Sequence, residues 1–202
     1  MAIQLKTHSA AGIEAAAGSQ AGFTLFELLI VIGIAGILAA IGLPAMRQFA
    51  QNYQASTAAS SLITSLNYAR SEAIKEDQPT AGGAGVEICA STGAGANATC
   101  DSADWATGWI VLSPANAPPL QQTGAVQSTI TIKQTPANAA VVFQPNGTAP
   151  ALAVGANGRF MLTLCDSRGA NFAREVEVSV SGIIQASATP GKDVSGAALV
   201  CP

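Results

Sequence analysis

Gly22-Phe23-Thr24-Leu25-Phe26-Glu27-Leu28-Leu29-Ile30-Val31-Ile32-Gly33-Ile34-Ala35-Gly36-Ile37-Leu38-Ala39-Ala40-Ile41-Gly42-Leu43-Pro44-Ala45-Met46 is the stretch that decides how this chain is built. From Phe23 to Met46 the run is 24 residues long, and Glu27 is its single charge. As a helix rising about 1.5 Å per residue it would be roughly 36 Å long, enough to cross a hydrocarbon core of about 30 Å. A secretory signal has an apolar region of about 7–15 residues behind a basic flank. This run is longer, and the residues before it hold only Lys6, His8 and Glu14 as ionisable side chains. A plain membrane anchor leaves Glu27 without a reason, because an acid within a span costs roughly 2.5–3.5 kcal/mol on insertion scales and as a rule has a partner. Gly33, Gly36, Gly42 and Pro44 weaken the interior of the same helix. They suit close helix packing in lipid and equally a segment that stretches locally.

Beyond Pro44 the apolar period continues through Met46, Phe49, Tyr53, Ala55 or Ser56, Ala59, Leu62, Ile63, Leu66, Ala69, Ala73 and Ile74. That spacing predicts an amphipathic helix. One helix is therefore expected from about Thr24 to Glu76, stopping before Gln78-Pro79 and the Gly82–Gly85 run. Residues 23–46 form its membrane half, and residues 47–78 face a globular domain with the apolar stripe. Residues 79–202 change character: short β-rich stretches alternate with Gly, Pro, Asn and Ala loops. Strands are expected at Val86–Cys89, Trp109–Leu112, Thr129–Lys133, Ala140–Gln144, Arg159–Leu164, Glu175–Val180 and Ile183–Ala186. Pro114–Gly124, with adjacent prolines, is expected as a surface loop. The fold class is α+β: a long N-terminal helix packed on an antiparallel β domain.

The whole chain has 202 residues, 49% hydrophobic and 10% charged, with a net charge of −3. Mean hydropathy is +0.36 and the pI is near 5.0. Ordinary soluble domains carry about 25% charge. So low a charge excludes a disordered chain, a single long apolar run argues against a polytopic membrane protein, and the acidic balance disfavours a nucleic-acid binder. Alanine supplies 41 of the apolar residues, and in residues 79–202 only 27 of 124 are Ile, Leu, Val, Met or Phe. Such a thin core gains from cross-links. Four cysteines, Cys89, Cys100, Cys165 and Cys201, meet that need if the domain is exported. They allow three pairings, of which Cys89–Cys100 and Cys165–Cys201 are favoured. Trp105 and Trp109 are expected in the core.

Gly22-Phe23-Thr24-Leu25-Phe26-Glu27-Leu28-Leu29 resembles the processing site of type IV prepilins and pseudopilins. The resemblance implies cleavage after Gly22 by a prepilin peptidase, which removes residues 1–22 as a leader and methylates Phe23. Glu27 then lies at the fifth mature position, where the family's glutamate pairs with a neighbouring subunit's N-terminus. Pro44 matches the family's proline. Two departures stand out: the long leader carries one lysine, and Phe26 occupies an aliphatic site. Further motifs resemble the GspH/FimT branch of minor pilins. They are Leu66-Asn67-Tyr68-Ala69-Arg70-Ser71-Glu72-Ala73-Ile74, Trp105-Ala106-Thr107-Gly108-Trp109-Ile110-Val111, Val142-Phe143-Gln144-Pro145-Asn146-Gly147-Thr148 and Leu162-Thr163-Leu164-Cys165-Asp166-Ser167-Arg168-Gly169. The branch implies a minor pilin of the type IV pilus, FimT- or FimU-like, that primes assembly or caps the filament among other minor and major pilins. It would be held in the bacterial inner membrane with its C-terminal domain in the periplasm, and would then join the filament. The alternative is a GspH-like pseudopilin of type II secretion. A DNA receptor is a second alternative, disfavoured because Gly182-Ile183-Ile184-Gln185 lacks both arginines of the branch's Gly-Arg-x-Arg patch. Arg168 and Arg174 also compete there with Asp166, Glu175 and Glu177.

Catalysis has no support in the residues. The one histidine, His8, falls in the leader, so the mature chain lacks a Ser-His-Asp or Cys-His set. No P-loop or HExxH motif occurs. Asp101 and Asp104 read as loop residues, and Asn97 and Asn146 as turn residues. No cofactor or metal is expected.

Overall fold

The 3.6-residue period is realised as one helix, α1 (Leu25–Lys75), in a computed structural model that describes residues 22–75, 85–113, 116–137, 140–150 and 158–201. Residues 1–21 of the expected leader and the expected helix stop at 76–84 lie outside the described residues, as do the side chains of Asn116 and Ala117. The helix begins where Thr24 can cap it. Glu27 N donates to Thr24 Oγ1 at 3.2 Å, and Leu28 N donates to the Thr24 carbonyl at 3.2 Å. Threonine followed three residues later by glutamate is the spacing of a capping box, which satisfies otherwise orphaned N–H groups.

Two units are described, one ending at Pro44 and the other beginning at Ala45. In the first, the apolar side chains are exposed all round, from Leu25 at 78% to Leu43 at 57%. A helix apolar on every side belongs in lipid or in an assembly.

In the second unit α1 buries Ala55, Ala58, Ala59, Leu62, Ser65, Leu66, Ala69 and Ala73. These recur every three or four residues, so they form one face. The face starts later than the sequence period implies. Met46, Phe49, Tyr53 and Ile74 share the pattern but are exposed. Periodicity reports which side of a helix is apolar and not how far along it a partner extends.

The β region forms two four-stranded sheets, with every pairing antiparallel. The first has the order β3-β2-β1-β5, from β1 (Val86–Ala90), β2 (Trp109–Ser113), β3 (Asn116–Thr123) and β5 (Val141–Phe143). The second has the order β4-β6-β7-β8, from β4 (Thr131–Thr135), β6 (Arg159–Cys165), β7 (Arg174–Ser179) and β8 (Ile184–Ala186).

The loop expected at Pro114–Gly124 is a strand over most of its length. β3 pairs with β2 through Trp109↔Thr123, Ile110↔Gln122 and Val111↔Gln121; the register then shifts, and Ser113↔Asn116 resumes the ladder. Pro118 and Pro119 fall inside the shift. They are tolerated because β3 is an edge strand, where a missing N–H costs no interior bond, and a bulge twists such an edge away from stray pairing.

One core joins α1 to both sheets. Leu62, Leu66, Val86, Ile88, Trp105, Trp109, Phe143, Phe160, Leu162 and Val176 all belong to it, each at most 1% exposed. The rings of Trp105 and Phe160 meet at 5.6 Å, tilted by 54°, and the Trp105 indole N–H donates to Gln134 Oε1. Alanine recurs on the helix side of this core, where a short side chain lets the helix lie close to the strands. Two disulfides, Cys89–Cys100 and Cys165–Cys201, have Cα separations of 5.5 and 5.9 Å. They are the pairs the spacing favoured.

Candidate functional site

The N-terminal motif is laid out along the first turn of α1. Gly22 and Phe23 precede the helix, Thr24 caps it, and Phe23 is 85% exposed. The Gly22–Phe23 bond therefore lies in non-helical backbone, the conformation a peptidase can enter. Glu27 sits in the first turn, where the positive end of the helix dipole favours a carboxylate. Pro44 lies inside the helix and cannot donate to the Ala40 carbonyl four residues earlier. The most apolar 18-residue stretch of α1 has a mean hydropathy of 2.6 and is wholly unburied. Thr24 is the residue missed in reading the motif, although the Thr-x-x-Glu spacing was there to be read.

Several polar groups in the second unit are committed to holding loops. Arg168 pairs with Asp166, its Nε lying 3.0 Å from Oδ2. Its Nη1 donates to Asn52 Oδ1 on α1 at 2.8 Å, and its guanidinium lies 4.3 Å from the centroid of the Phe172 ring. Burial pushes the Asp166 carboxyl upward, but the Arg168 hydrogen bonds outweigh it and hold Asp166 below the usual range. Arg168 is thus engaged within the fold. Arg70 Nε donates to the Gly147 carbonyl at 3.0 Å, fastening the 144–148 turn to α1. Asp101 accepts from the Thr92 N–H and hydroxyl at 2.8 and 2.9 Å, and Asp104 caps the short turn Trp105–Thr107. Asn146 Oδ1 accepts from Thr148 N at 3.0 Å within its turn.

On β7, Glu175 and Glu177 point away from the core and are still buried, at 3% and 4% exposure. Glu177 pairs with Arg159 at 3.2 Å, and Glu175 Oε1 accepts from Val194 N at 3.3 Å. Burial raises the Glu175 carboxyl above its ordinary value, Asp193 and Glu177 add to the rise, and the Val194 N–H opposes it. Burial likewise raises Glu87. Glu87 lies beside Cys89 and Cys100, with potential ligand atoms within 4.8 Å of one another. Both sulfurs are spent in the disulfide, so this cluster offers no thiolate. At the β7–β8 turn, Ile183 is half exposed and Gln185 pairs in register with Glu177. The segment that carries arginines in the DNA-binding branch here carries an isoleucine and a glutamine beside a buried acid.

Comparison with known proteins follows the same division. The profile described as Type II transport protein GspH matches residues 58–182. The chain is a type IV pilin-like protein of the GspH family. That match runs from the buried face of α1 through both sheets to the β7–β8 turn. A second profile, described as Prokaryotic N-terminal methylation motif, matches residues 18–43 and so contains Gly22, Phe23 and Glu27. Two crystal forms of the Pseudomonas aeruginosa type IV minor pilin FimU share the fold of this GspH-family chain. One is 25% identical, with a TM-score of 0.50, covering 68% of this chain and 90% of FimU. The other is 24% identical, with a TM-score of 0.51, covering 73% and 99%. A Moraxella nonliquefaciens fimbrial protein is 54% identical over 52 residues, which is 24% of this chain and 34% of that protein. The chain thus spans about a third of that relative's length.

Proposed function

We propose that this chain is a minor pilin, made as a prepilin and cut between Gly22 and Phe23 by a prepilin peptidase that also methylates Phe23. In this reading residues 1–22 are the leader. Residues 23–46 hold the subunit in the inner membrane and later enter the filament core, residues 47–78 carry the helix into the domain, and residues 79–202 stand outside the membrane. Glu27 partners a neighbour's N-terminal amine, which relieves the cost of placing an acid in an apolar span. The subunit works with other pilins to prime assembly or cap the filament. The observation that carries the reading is the methylation-type motif leading directly into an exposed apolar helix whose far half packs on a FimU-like β domain.

The test is co-expression with a prepilin peptidase and intact-mass measurement. The wild-type chain should lose residues 1–22 and gain a methyl group, whereas Gly22→Ala should stay full length; cleavage of the variant at the same bond would overturn the proposal. A second reading, a minor pseudopilin of type II secretion, is favoured by the family's description as a type II transport protein. Deletion of the gene separates the two: loss of pili with secretion intact supports the pilus role, and the converse supports the pseudopilin.

A further inference from the structure

A groove in the unit beginning at Ala45 is left unfilled by the described residues. Its volume is about 380 Å³, within the range of small-molecule sites, about 300–1,000 Å³. One wall is a face of α1, where Tyr53, Thr57 and Ser61 recur every four residues and so align their hydroxyls. The other wall is the segment 123–127. Trp109 also lines the groove, and it pairs in register with Thr123, so the two side chains leave the sheet on one face. Trp109 is 1% exposed, yet its indole N–H has no hydrogen-bond partner among the described residues. A buried donor left unpaired is costly, and native folds rarely leave one.

The lining defines the chemistry of the missing partner. An indole N–H only donates, so the occupant brings an acceptor. No Lys, Arg or His lines the groove, so a carboxylate or phosphate there would be buried without a counter-charge. The acceptor is therefore neutral. Ala50, Ala58, Ala125, Val126 and Ile130 supply apolar surface. Water could accept from Trp109 but would leave these walls wet, whereas an apolar chain covers them. A carboxylic ester carrying an acyl chain meets all three conditions, and a bilayer supplies it. In the reading above residues 23–46 cross the membrane, and Ala50 follows Met46 on the same helix by four residues, about 6 Å. The polar layer of a bilayer adds roughly 5–7 Å on each side of the hydrocarbon core, so Ala50 falls in the layer where acyl esters lie. Met46, Phe49 and Tyr53 are 66%, 69% and 67% exposed, and a tyrosine suits that layer.

We propose that this groove is a lipid site. It takes one acyl-ester arm of a membrane phospholipid, the ester carbonyl accepting from Trp109 Nε1 and the acyl chain lying on the apolar lining, while the charged headgroup stays outside. The proposal rests on the membrane-held subunit described above and adds a lipid that the β domain itself grips. The site is filled while the subunit waits in the bilayer and emptied when it is extracted.

The test reconstitutes the full chain in phosphatidylcholine vesicles doped with a phosphatidylcholine that carries a diazirine close to the carbonyl of one acyl chain. After illumination and digestion, mass spectrometry should find lipid on residues 50–61 and 123–127 as well as on the membrane stretch 23–46. Trp109→Phe keeps a ring and removes the donor, and should lower labelling of 50–61 and 123–127 about fivefold, the worth of one neutral hydrogen bond. Ala125→Trp fills the groove from an exposed position, and should lower the same labelling about tenfold by exclusion. Labelling of 23–46 should stay unchanged in both variants. Label confined to 23–46 overturns the proposal, as does undiminished labelling of 50–61 and 123–127 in both variants. Vesicle flotation is scored separately: a chain that floats with the vesicles but stays unlabelled at 50–61 and 123–127 sinks the lipid site alone, and a chain that does not float sinks the membrane-held reading.

Discussion

Glu175 is a carboxylate on the strand face turned away from the core, yet it is buried and holds Val194 N. Its folded-state proton affinity is raised, chiefly by burial. The folded chain therefore keeps a proton that the unfolded chain has already released above the ordinary carboxylate range. Stability from this group is fully present below that range and is lost as pH rises through the raised value. Glu175→Gln keeps an acceptor for Val194 and removes the titration. In thermal unfolding of the full chain in detergent, the variant should gain on the wild type as pH rises from the ordinary carboxylate range through the raised value. Equal pH dependence in the two proteins would refute the assignment. Asp193, Glu177 and Arg159 also act on Glu175, and they are retained in both proteins, so the comparison isolates Glu175.

Turns and edges show how elements meet. Gly182, in the β7–β8 turn, has φ +75, and a Cβ there would fall 1.9 Å from the Gly147 carbonyl oxygen and 3.2 Å from Arg70 Nε. That carbonyl is the one Arg70 binds. Two turns and the end of α1 thus converge on one point with no space for a methyl group. Gly182→Ala combines a left-handed backbone with a backbone clash, and should cost about 3 kcal/mol, read as a lowered midpoint of denaturant unfolding. A change under about 0.5 kcal/mol would contradict the packing described. The family resemblance pointed to the neighbouring positions 183 and 185; contact between the 144–148 and 179–183 turns depends on the pairing of separate sheets and has no local signature. β3 was illegible for a related reason. Two prolines weigh against a strand in any local reading, and only its place at a sheet edge makes them harmless.

At the level of the subunit, α1 runs through both units while burying side chains only in the second. The first unit, Glu27 included, is left for lipid or for other subunits. Glu27→Gln keeps the Thr24 cap, because the cap uses the backbone N–H of residue 27. Cleavage after Gly22 should therefore proceed at a rate within about twofold of wild type, while incorporation into filaments should fall at least tenfold, as loss of a charge-assisted contact of about 1.5–3 kcal/mol implies. Quantitative immunoblotting of sheared filaments against membranes measures this, and wild-type incorporation of the variant would remove the reason offered for the acid. The two disulfides belong to the same level of organisation. Cys165–Cys201 ties the end of the described chain to β6, and Cys89–Cys100 closes the loop after β1. By the loop-entropy estimate Cys89–Cys100 contributes about 3 kcal/mol and the longer Cys165–Cys201 loop about 4 kcal/mol before strain, a large share for a core so rich in alanine.

The apolar run with one acid, the long helical period after it, the β character of residues 79–202 and the favoured cysteine pairing were all legible from residue order. Each is a local or near-local property: span length, 3.6-residue spacing, β-rich composition, and loops short enough to close. The division of strands into two sheets, the point along α1 where burial begins, the strand at Asn116–Thr123 and the closure of two turns over Arg70 were decided only by the tertiary structure. They depend on which distant surfaces touch. Hydrophobic patterning specifies that a face must be covered, but the element that covers it is chosen by packing and register across the whole domain.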